Sequence, residues 1–519
     1  MTEPLEWTNE ILRERLSGAC VDGQYIHLNL ATHLSDILDL SLEFMNDSVI
    51  WDAAHRIELA CEHAKEGYTA GGQRIGGTTW LLDLDRVLQH IMKVFRYGHN
   101  HADLRKICVE KKQPFLEFIL FSETRFVEYS HRTYDHFVRM YPMLCEKLKR
   151  DEASAETTKE VTDVENLQNW LVQLELVVDL LFMMDLSHLF TFCSKELQRF
   201  NVVPFYAMIV VDRLKRQLND ARDAFNSFQT PEQIHLHKTE HNKEYVVWKA
   251  LKDGCDNIMK TQSFNDIPLL LRSDRGRVTR SSGSGSSFGC DEEGFRSIIL
   301  QRFKNYRIYL DLVLSELYNR FDPWPAWVVL SEQCFNFMND NEFEQRRESF
   351  EKLMDTPHGI NPLLNDEKQR LLAEYATLHR NAMTVLKAKR DDNAKFNLEQ
   401  IWYELLTEEI YYKNCKFVNF IALKFLNRSY NECIVESAVS NVESIDTSGR
   451  PLKDENVEKL NFIATNGPHP LVSMNLVEDM LTNRFGKDWH FTINKSKWFV
   501  SKTVDRHVQY ARSLPNSLL

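Results

Sequence analysis

The chain lacks the cysteine spacings that build metal or disulfide scaffolds. Its ten cysteines are scattered, with no Cys-x-x-Cys pair and no close Cys/His cluster. A zinc finger is therefore excluded, as is a disulfide framework, and the expected compartment is reducing. Positive charge is also short: 63 Lys and Arg stand against 75 Asp and Glu, a formal net charge of -12. Phosphate contacts need Lys and Arg to displace counterions, which excludes a simple cationic nucleic-acid binder but not a local basic face. The opening run MTEPLEWTNE is acidic and polar, so no signal peptide is expected. No charge-free membrane span is present either. The most apolar run, Leu171 to Phe192, contains Glu175, Asp179 and Asp185. There is no internal repeat. These absences point to a soluble protein, nuclear or cytoplasmic, without a membrane partner. Lys147-Leu148-Lys149-Arg150 and Arg346-Arg347 are too short to serve as nuclear signals.

What is present is an ordinary globular composition. Hydrophobic residues make up 43% of 519 residues, enough for two or three domains with real cores. Periodicity predicts a short helix over Glu6 to Leu16, then a strand ending at Asp22-Gly23. A helix follows over Tyr25 to Leu40, then a buried strand at Ser48 to Trp51 and a helix from Ile57 to Lys65. Gly71 to Thr79, with four glycines, reads as a loop. From Leu82 to Phe425 the pattern is nearly all helix. Leu167, Trp170, Leu171, Leu174, Val177, Val178 and Leu181 follow the spacing of one buried helical face. Further long helices are expected around Ile298 to Leu310 and Leu372 to Met383. Asp322-Pro323-Trp324-Pro325 should interrupt the run. Ser273 to Glu293, rich in Ser and Gly, cannot build a core and is expected to be a flexible surface loop. The tail after Lys487 reads as a small strand or docking arm.

Two clusters have suggestive metal-ligand spacing: His235, His237 and His241, and the pair His99 and His101. Both fall in polar, loop-like sequence with no orienting partners in view, which argues against a structural metal.

The most distinctive stretch runs from Asn431 to Pro468. It reads as a helix carrying Glu436 among Ile434, Val435, Ala438, Val439 and Val442. A turn, Thr447 to Pro451, follows, then a helix with Val457, Leu460 and Ile463 on one face. That helix stops at Asn466-Gly467-Pro468, where glycine can take the left-handed cap. A carboxylate inside an apolar stripe is costly to bury without a partner, so Glu436 is either a partly exposed face residue or a functional acid.

This stretch resembles the C-terminal signature of hAT-family transposases, in Glu436, Val439-Ser440, Arg450-Pro451-Leu452 and Asn466-Gly467. The residue after the Glu is usually Arg in that family and is Ser437 here. The N-terminal part resembles the same family in Asp22-Gly23, in Asp52 and His55, and in Arg56, Leu59 and Ala60. Glu123-Thr124-Arg125-Phe126 resembles a Thr-Arg-Trp element with Phe in the last place. The resemblance implies a mainly α chain in which a large all-helical insertion domain joins an incomplete RNase H-like α/β core. It divides the chain into 1–66, an N-terminal remnant of that core; 67–425, the insertion; 426–470, the C-terminal part of the core with dimerisation helices; and 471–519, a tail.

In such transposases three carboxylates hold two divalent metals that activate a water or hydroxyl and stabilise the leaving oxygen. Mg²⁺ suits a site of this kind because it prefers oxygen ligands. The resemblance makes Asp22 the second acid and Glu436 the third, hence the metal ligands of any Mg²⁺, with His55 beside the site. The first acid and its strand have no counterpart ahead of Asp22, nor does a BED-type zinc domain. The expectation is a transposon-derived protein, domesticated or a truncated copy. Catalysis is lost and no cofactor is needed, while homodimerisation is kept, with DNA as a further partner. No small-molecule ligand is evident. Two alternatives stay open: a residual Mg²⁺-dependent nuclease using Asp22, Glu436 and another acid, and an all-helical interaction scaffold with no nucleic-acid role.

Overall fold

The computed structural model describes residues 19–21, 29–70, 73–75, 77–121, 126–155, 157–198, 203–225, 237–238, 246–271, 292–356, 365–391 and 396–426. The chain divides into two compact units, Met1–Asn431 and Glu432–Leu519, and all the described residues belong to the first.

The described part is mainly helical. A short strand β1 (Ala19–Val21) leads to helices α1 (Leu30–Leu38) and α2 (Leu42–Ser48), strand β2 (Val49–Trp51) and helix α3 (Ala53–Glu66). A hairpin of β3 (Tyr68–Ala70) and β4 (Gln73–Ile75) precedes α4 (Thr79–Phe95) and α5 (Gly98–Glu110). The helical array continues with α6 (Phe126–Ser154), α7 (Thr158–Leu171), α8 (Leu174–Leu197) and α9 (Pro204–Asp223). Strands β5 (His237–Lys238) and β6 (Val246–Val247) pair ahead of α10 (Lys249–Thr261). A hairpin of β7 (Ser263–Phe264) and β8 (Ile267–Pro268) follows it. Then come α11 (Glu292–Phe321), α12 (Ala326–Phe335), α13 (Phe343–Met354), α14 (Asn365–Asp391), α15 (Leu398–Thr407), α16 (Glu409–Tyr412) and α17 (Lys416–Leu426).

Helix α8 is the axis of this array. Its residues are apolar on every side, which is the mark of a helix buried all round. It packs against α6 above all, and also against α9, α10 and α11. Among the described residues it is the one helix long and apolar enough to cross a membrane, and most of it lies inside the protein. Its three buried acids, Asp179, Asp185 and Glu196, have protein partners, Glu196 accepting from the Tyr206 hydroxyl. Asp179 accepts from Arg302 Nη2 and from the Tyr306 hydroxyl, both at 2.6 Å. Asp185 accepts from the backbone N–H of Leu251 at 2.9 Å. Leu251 lies in the first turn of α10, whose own leading residue, Trp248, supplies no side-chain cap. An acid on a neighbouring helix therefore does the capping that helix N-termini require.

Phe182 of α8 is stacked between Tyr306 (centroids 3.9 Å apart) and Trp248 (5.0 Å). Gly254 of α10 meets α8 where a Cβ would come within 2.3 Å of Leu181 Cδ1, so any larger residue would require the Leu181 side chain to shift. The helices from α12 onward close around a second focus, Arg346 of α13. It is 1% exposed, and its guanidinium donates to the carbonyls of Gln333, Asn336, Asn339 and Asn341. Three of these carbonyls lie just past α12 or in its last turn, where the helix dipole is negative. A single hydrophobic core runs from Ile50 to Phe425 and takes in both regions.

Several expectations need correction. The helix expected from Ile57 begins at Ala53, because Asp52 caps it. The face expected to run unbroken from Leu167 to Leu181 is interrupted at Val172-Gln173, dividing α7 from α8. There the chain pairs with the segment after β8, Leu174 N–H donating to Leu270 O and Leu270 N–H to Val172 O. Part of the loop expected at Gly71 to Thr79 is strand β4 and the start of α4. The helix expected from Tyr25 is described only from Leu30. The break at Asp322 to Pro325 separates α11 from α12, as expected.

Candidate functional site

Strands β1 and β2 run parallel in register, Ala19 opposite Val49, Cys20 opposite Ile50 and Val21 opposite Trp51. Their C-terminal ends are thus neighbours. In open α/β arrangements ligand sites form beyond the carboxyl ends of parallel strands. The chain continues from one strand end into Asp22-Gly23 and from the other into Asp52 and His55. Among the described residues this is the one parallel strand pair; the other three pairs are antiparallel hairpins or short ladders.

Asp52 is buried, and its Oδ1 accepts from the His55 backbone N–H at 2.7 Å. That is an N-cap interaction on α3, reinforced by the positive end of the helix dipole. His55 occupies the first turn of α3, half-buried, with its ring 6.2 Å from that of Trp51. Helix α11 fixes α3 from behind. Arg320 lies over the Trp51 ring, and Arg56 over Phe321 at 4.3 Å. Arg320 Nη2 donates to His63 Nδ1 at 2.8 Å and to Glu316 Oε2 at 3.3 Å. Farther along α3, Lys65 Nζ meets Asp85 Oδ2 of α4 at 2.5 Å, and Asp85 Oδ1 accepts from the Tyr134 hydroxyl of α6 at 2.9 Å. Burial pushes the Asp85 carboxyl above its ordinary range, and Lys65 pulls it back.

Of the site residues expected from sequence, only His55 is described with its side chain. Asp22 and Glu436 lie outside the described residues, as does the whole stretch Asn431 to Pro468. So do Glu123, Thr124 and Arg125. His235 and His241 lie outside too, and His237 is described only as backbone of β5, opposite Val247. Among the described residues no group of three or more His, Cys, Asp or Glu could hold a metal ion. His99 and His101 are not in a loop, as their polar setting suggests, but in the first turn of α5. There His101 Nε2 lies 3.0 Å from Glu117 Oε2, and its ring stands edge-on to Phe115. Arg346 is buried, which removes it from any import signal.

A second feature was not legible as a site. Between α4, the α7–α8 junction and α11 lies a cleft of about 620 Å³, lined by Trp80, Trp170, Glu175, Asp179 and Arg302 among others. Burial raises the Asp179 carboxyl to about 7, against the pull of Arg302 and of the Tyr306 hydroxyl; Glu175 adds to the rise. In the sequence these residues read as core periodicity and as charges that disqualify a membrane span. Only the helix packing assembles them.

Comparison with family models, with curated proteins and with solved structures finds no match to this chain.

Proposed function

We propose that this chain is a transposon-derived, hAT-transposase-like protein. In this reading β1, β2 and the helix after β2 belong to an RNase H-like core, and the helices from α4 onward are its insertion. The observation that carries the reading is the parallel register of β1 and β2. It sets Val21 opposite Trp51 and so makes neighbours of the strand ends that continue into Asp22 and into Asp52 and His55. A core of this kind uses that edge for its acids. Asp22 and Glu436 are the acids that the resemblance assigns to such a site. We infer that the chain is catalytically silent by itself and acts by self-association, in the nucleus or the cytoplasm, with DNA as a further partner. The contact would be the apolar faces of Val435 to Val442 and Val457 to Ile463.

Light scattering of the full chain at micromolar concentration tests the association. The expected mass is a dimer's, and Val439→Asp should shift it to a monomer's. A monomeric wild type would count strongly against the proposal. Incubation with Mg²⁺ or Mn²⁺ and labelled duplex DNA tests the silence. Cleavage that Glu436→Gln abolishes would restore the nuclease reading.

The scaffold reading has its own support in the acidic charge of -12 and in the mainly helical described core. Salt titration of DNA binding separates the two, since a phosphate footprint gives a steep negative slope of log affinity against log salt.

A further inference from the structure

The cleft between α4, the α7–α8 junction and α11 contains one complete cation site and the parts of a second. In the complete one the Arg302 guanidinium lies 5.9 Å from the centroid of Trp80 and is held by Asp179 Oδ2 at 2.6 Å. A carboxylate and an indole thus clasp a guanidinium, as cation–π and charge-assisted bonding favour. The same cleft is lined by a second carboxylate, Glu175, and a second indole, Trp170. Glu175 Oε2 is shielded from solvent and accepts no hydrogen bond. Glu175 also acts on Asp179 as a like charge. A carboxylate oxygen withdrawn from water beside another carboxylate is an unfavourable arrangement that a cation would relieve.

The charge continues beyond the cleft. An adjoining cleft of about 820 Å³ shares His90 and Trp170 with the first, and Asp151, Glu160 and Asp163 line it. Of the three, Asp163 enters no ion pair, whereas Asp151 is paired with Lys147 and Glu160 closes the capping box of α7. Trp170, edge-on to His90 with centroids 5.4 Å apart, stands where the two clefts meet. Together they form an acidic groove with an indole at its centre.

We propose that this groove binds a basic peptide segment of a partner protein, with one Arg or Lys side chain against Trp170 and paired to Glu175. The neighbouring basic residues of the peptide face Asp163 in the second cleft. Charge complementarity selects this occupant: two cationic side chains, Arg86 and Arg302, line the first cleft, and each is already paired, with Asp83 and Asp179. The inference is independent of transposon ancestry, since it uses no residue of the strand-end site.

The test is fluorescence anisotropy with the full chain and a labelled octapeptide of alternating Ala and Arg. Saturable binding is expected, weakening at least tenfold between 50 and 300 mM salt. Glu175→Gln, which keeps the shape of the side chain, should weaken binding at least tenfold. Trp170→Ala should do the same, and Trp170→Phe should restore most of the affinity. An unchanged thermal melt shows that each variant is folded. Glu344→Gln, on an exposed face of α13, should leave binding unchanged. An Ala/Gln octapeptide that binds equally well would overturn the proposal. So would a folded Glu175→Gln chain with wild-type affinity, or no saturation at millimolar peptide. Spermidine displacing the peptide at equal concentration would assign the groove to a small polyamine and overturn the peptide reading.

Discussion

His131 and His188 show how far burial can move a single side chain. His131 donates from Nδ1 to the Met184 carbonyl at 3.2 Å, leaving its Nε2 to accept from His188 Nδ1 at 3.4 Å. That chain of bonds requires a neutral His131 ring, since its Nε2 must accept. Burial pushes His188 down to about 4, helped by His131 and by Lys195, and burial lowers His131 as well. The unfolded chain takes up its histidine protons near pH 6.5, while the fold resists until about pH 4. The stability contributed by His188 is therefore fully present above pH 6.5 and is lost as the pH falls through that window. The loss should amount to about 2–3 kcal/mol, allowing for solvent screening of a partly exposed ring. Urea melts at pH 7.0 and 4.5 on wild type and His188→Gln check this: the variant should lose less stability between the two. Equal losses would exclude His188 as the source. Arg346 is the counterpart without a proton to give up. Replacing it with Met leaves four carbonyls, that of Asn336 buried and the others partly buried, without their donor. The expected cost is about 3 kcal/mol or more, and Arg346→Lys should recover only part of it, because an ammonium cannot reproduce the planar fork. A wild-type melt for Arg346→Met would refute this account of the second focus.

At the scale of elements, the junction of α3, α4 and α6 rests on Lys65, Asp85 and Tyr134. Removing one partner of a buried ion pair leaves an uncompensated charge and costs about 3–5 kcal/mol. Lys65→Met should destabilise by that amount at pH 7, and part of the loss should return on acidification, because burial raises the Asp85 carboxyl and eases its uptake of a proton. Lys65→Met with Asp85→Asn should be more stable at pH 7 than Lys65→Met alone, and a double-mutant cycle reads the difference. Contacts of this kind also mark where the sequence stopped being readable. The helices themselves were legible, because α8, α11 and α14 carry long apolar periods. So was the strand at Val49, bounded by a capping Asp52. The break between α7 and α8 was not: Val172 and Gln173 continue the helical period, and what interrupts it is pairing with Leu270, a residue far along the chain. The capping of α10 by Asp185 was hidden in the same way, since the acid sits on another helix. Near the candidate site, the two strands that precede Asp22 and Asp52 were legible. The groove was not, because Trp80, Glu175 and Arg302 become neighbours only through packing.

At the scale of the whole molecule, the question is whether the helices around Phe182 and those around Arg346 fold as one body. They lie in one compact unit, and a continuous apolar core joins them, with α9 in contact with both α11 and α12. The cysteines report on this without any added label. Cys61, Cys108, Cys193 and Cys255 are buried in the first region, and Cys334 and Cys415 in the second. Burial pushes up the thiols of Cys61, Cys108, Cys193, Cys334 and Cys415, Cys193 to about 12 and Cys415 to about 11, so their reactive thiolate is scarce as well as shielded. In the native protein these six should react with a thiol reagent far more slowly than a free thiol at the same pH. Along a urea gradient, a single cooperative body exposes all of them at one midpoint, as two-state unfolding requires. Mass spectrometry of the modified peptides resolves each position. Coincident midpoints for Cys193 and Cys334 are the expected outcome. If Cys334 and Cys415 were labelled at a lower urea concentration than the other four, the helices from α12 onward would be a separate folding unit docked on the first. In that case the buried Arg346 would stabilise only its own half.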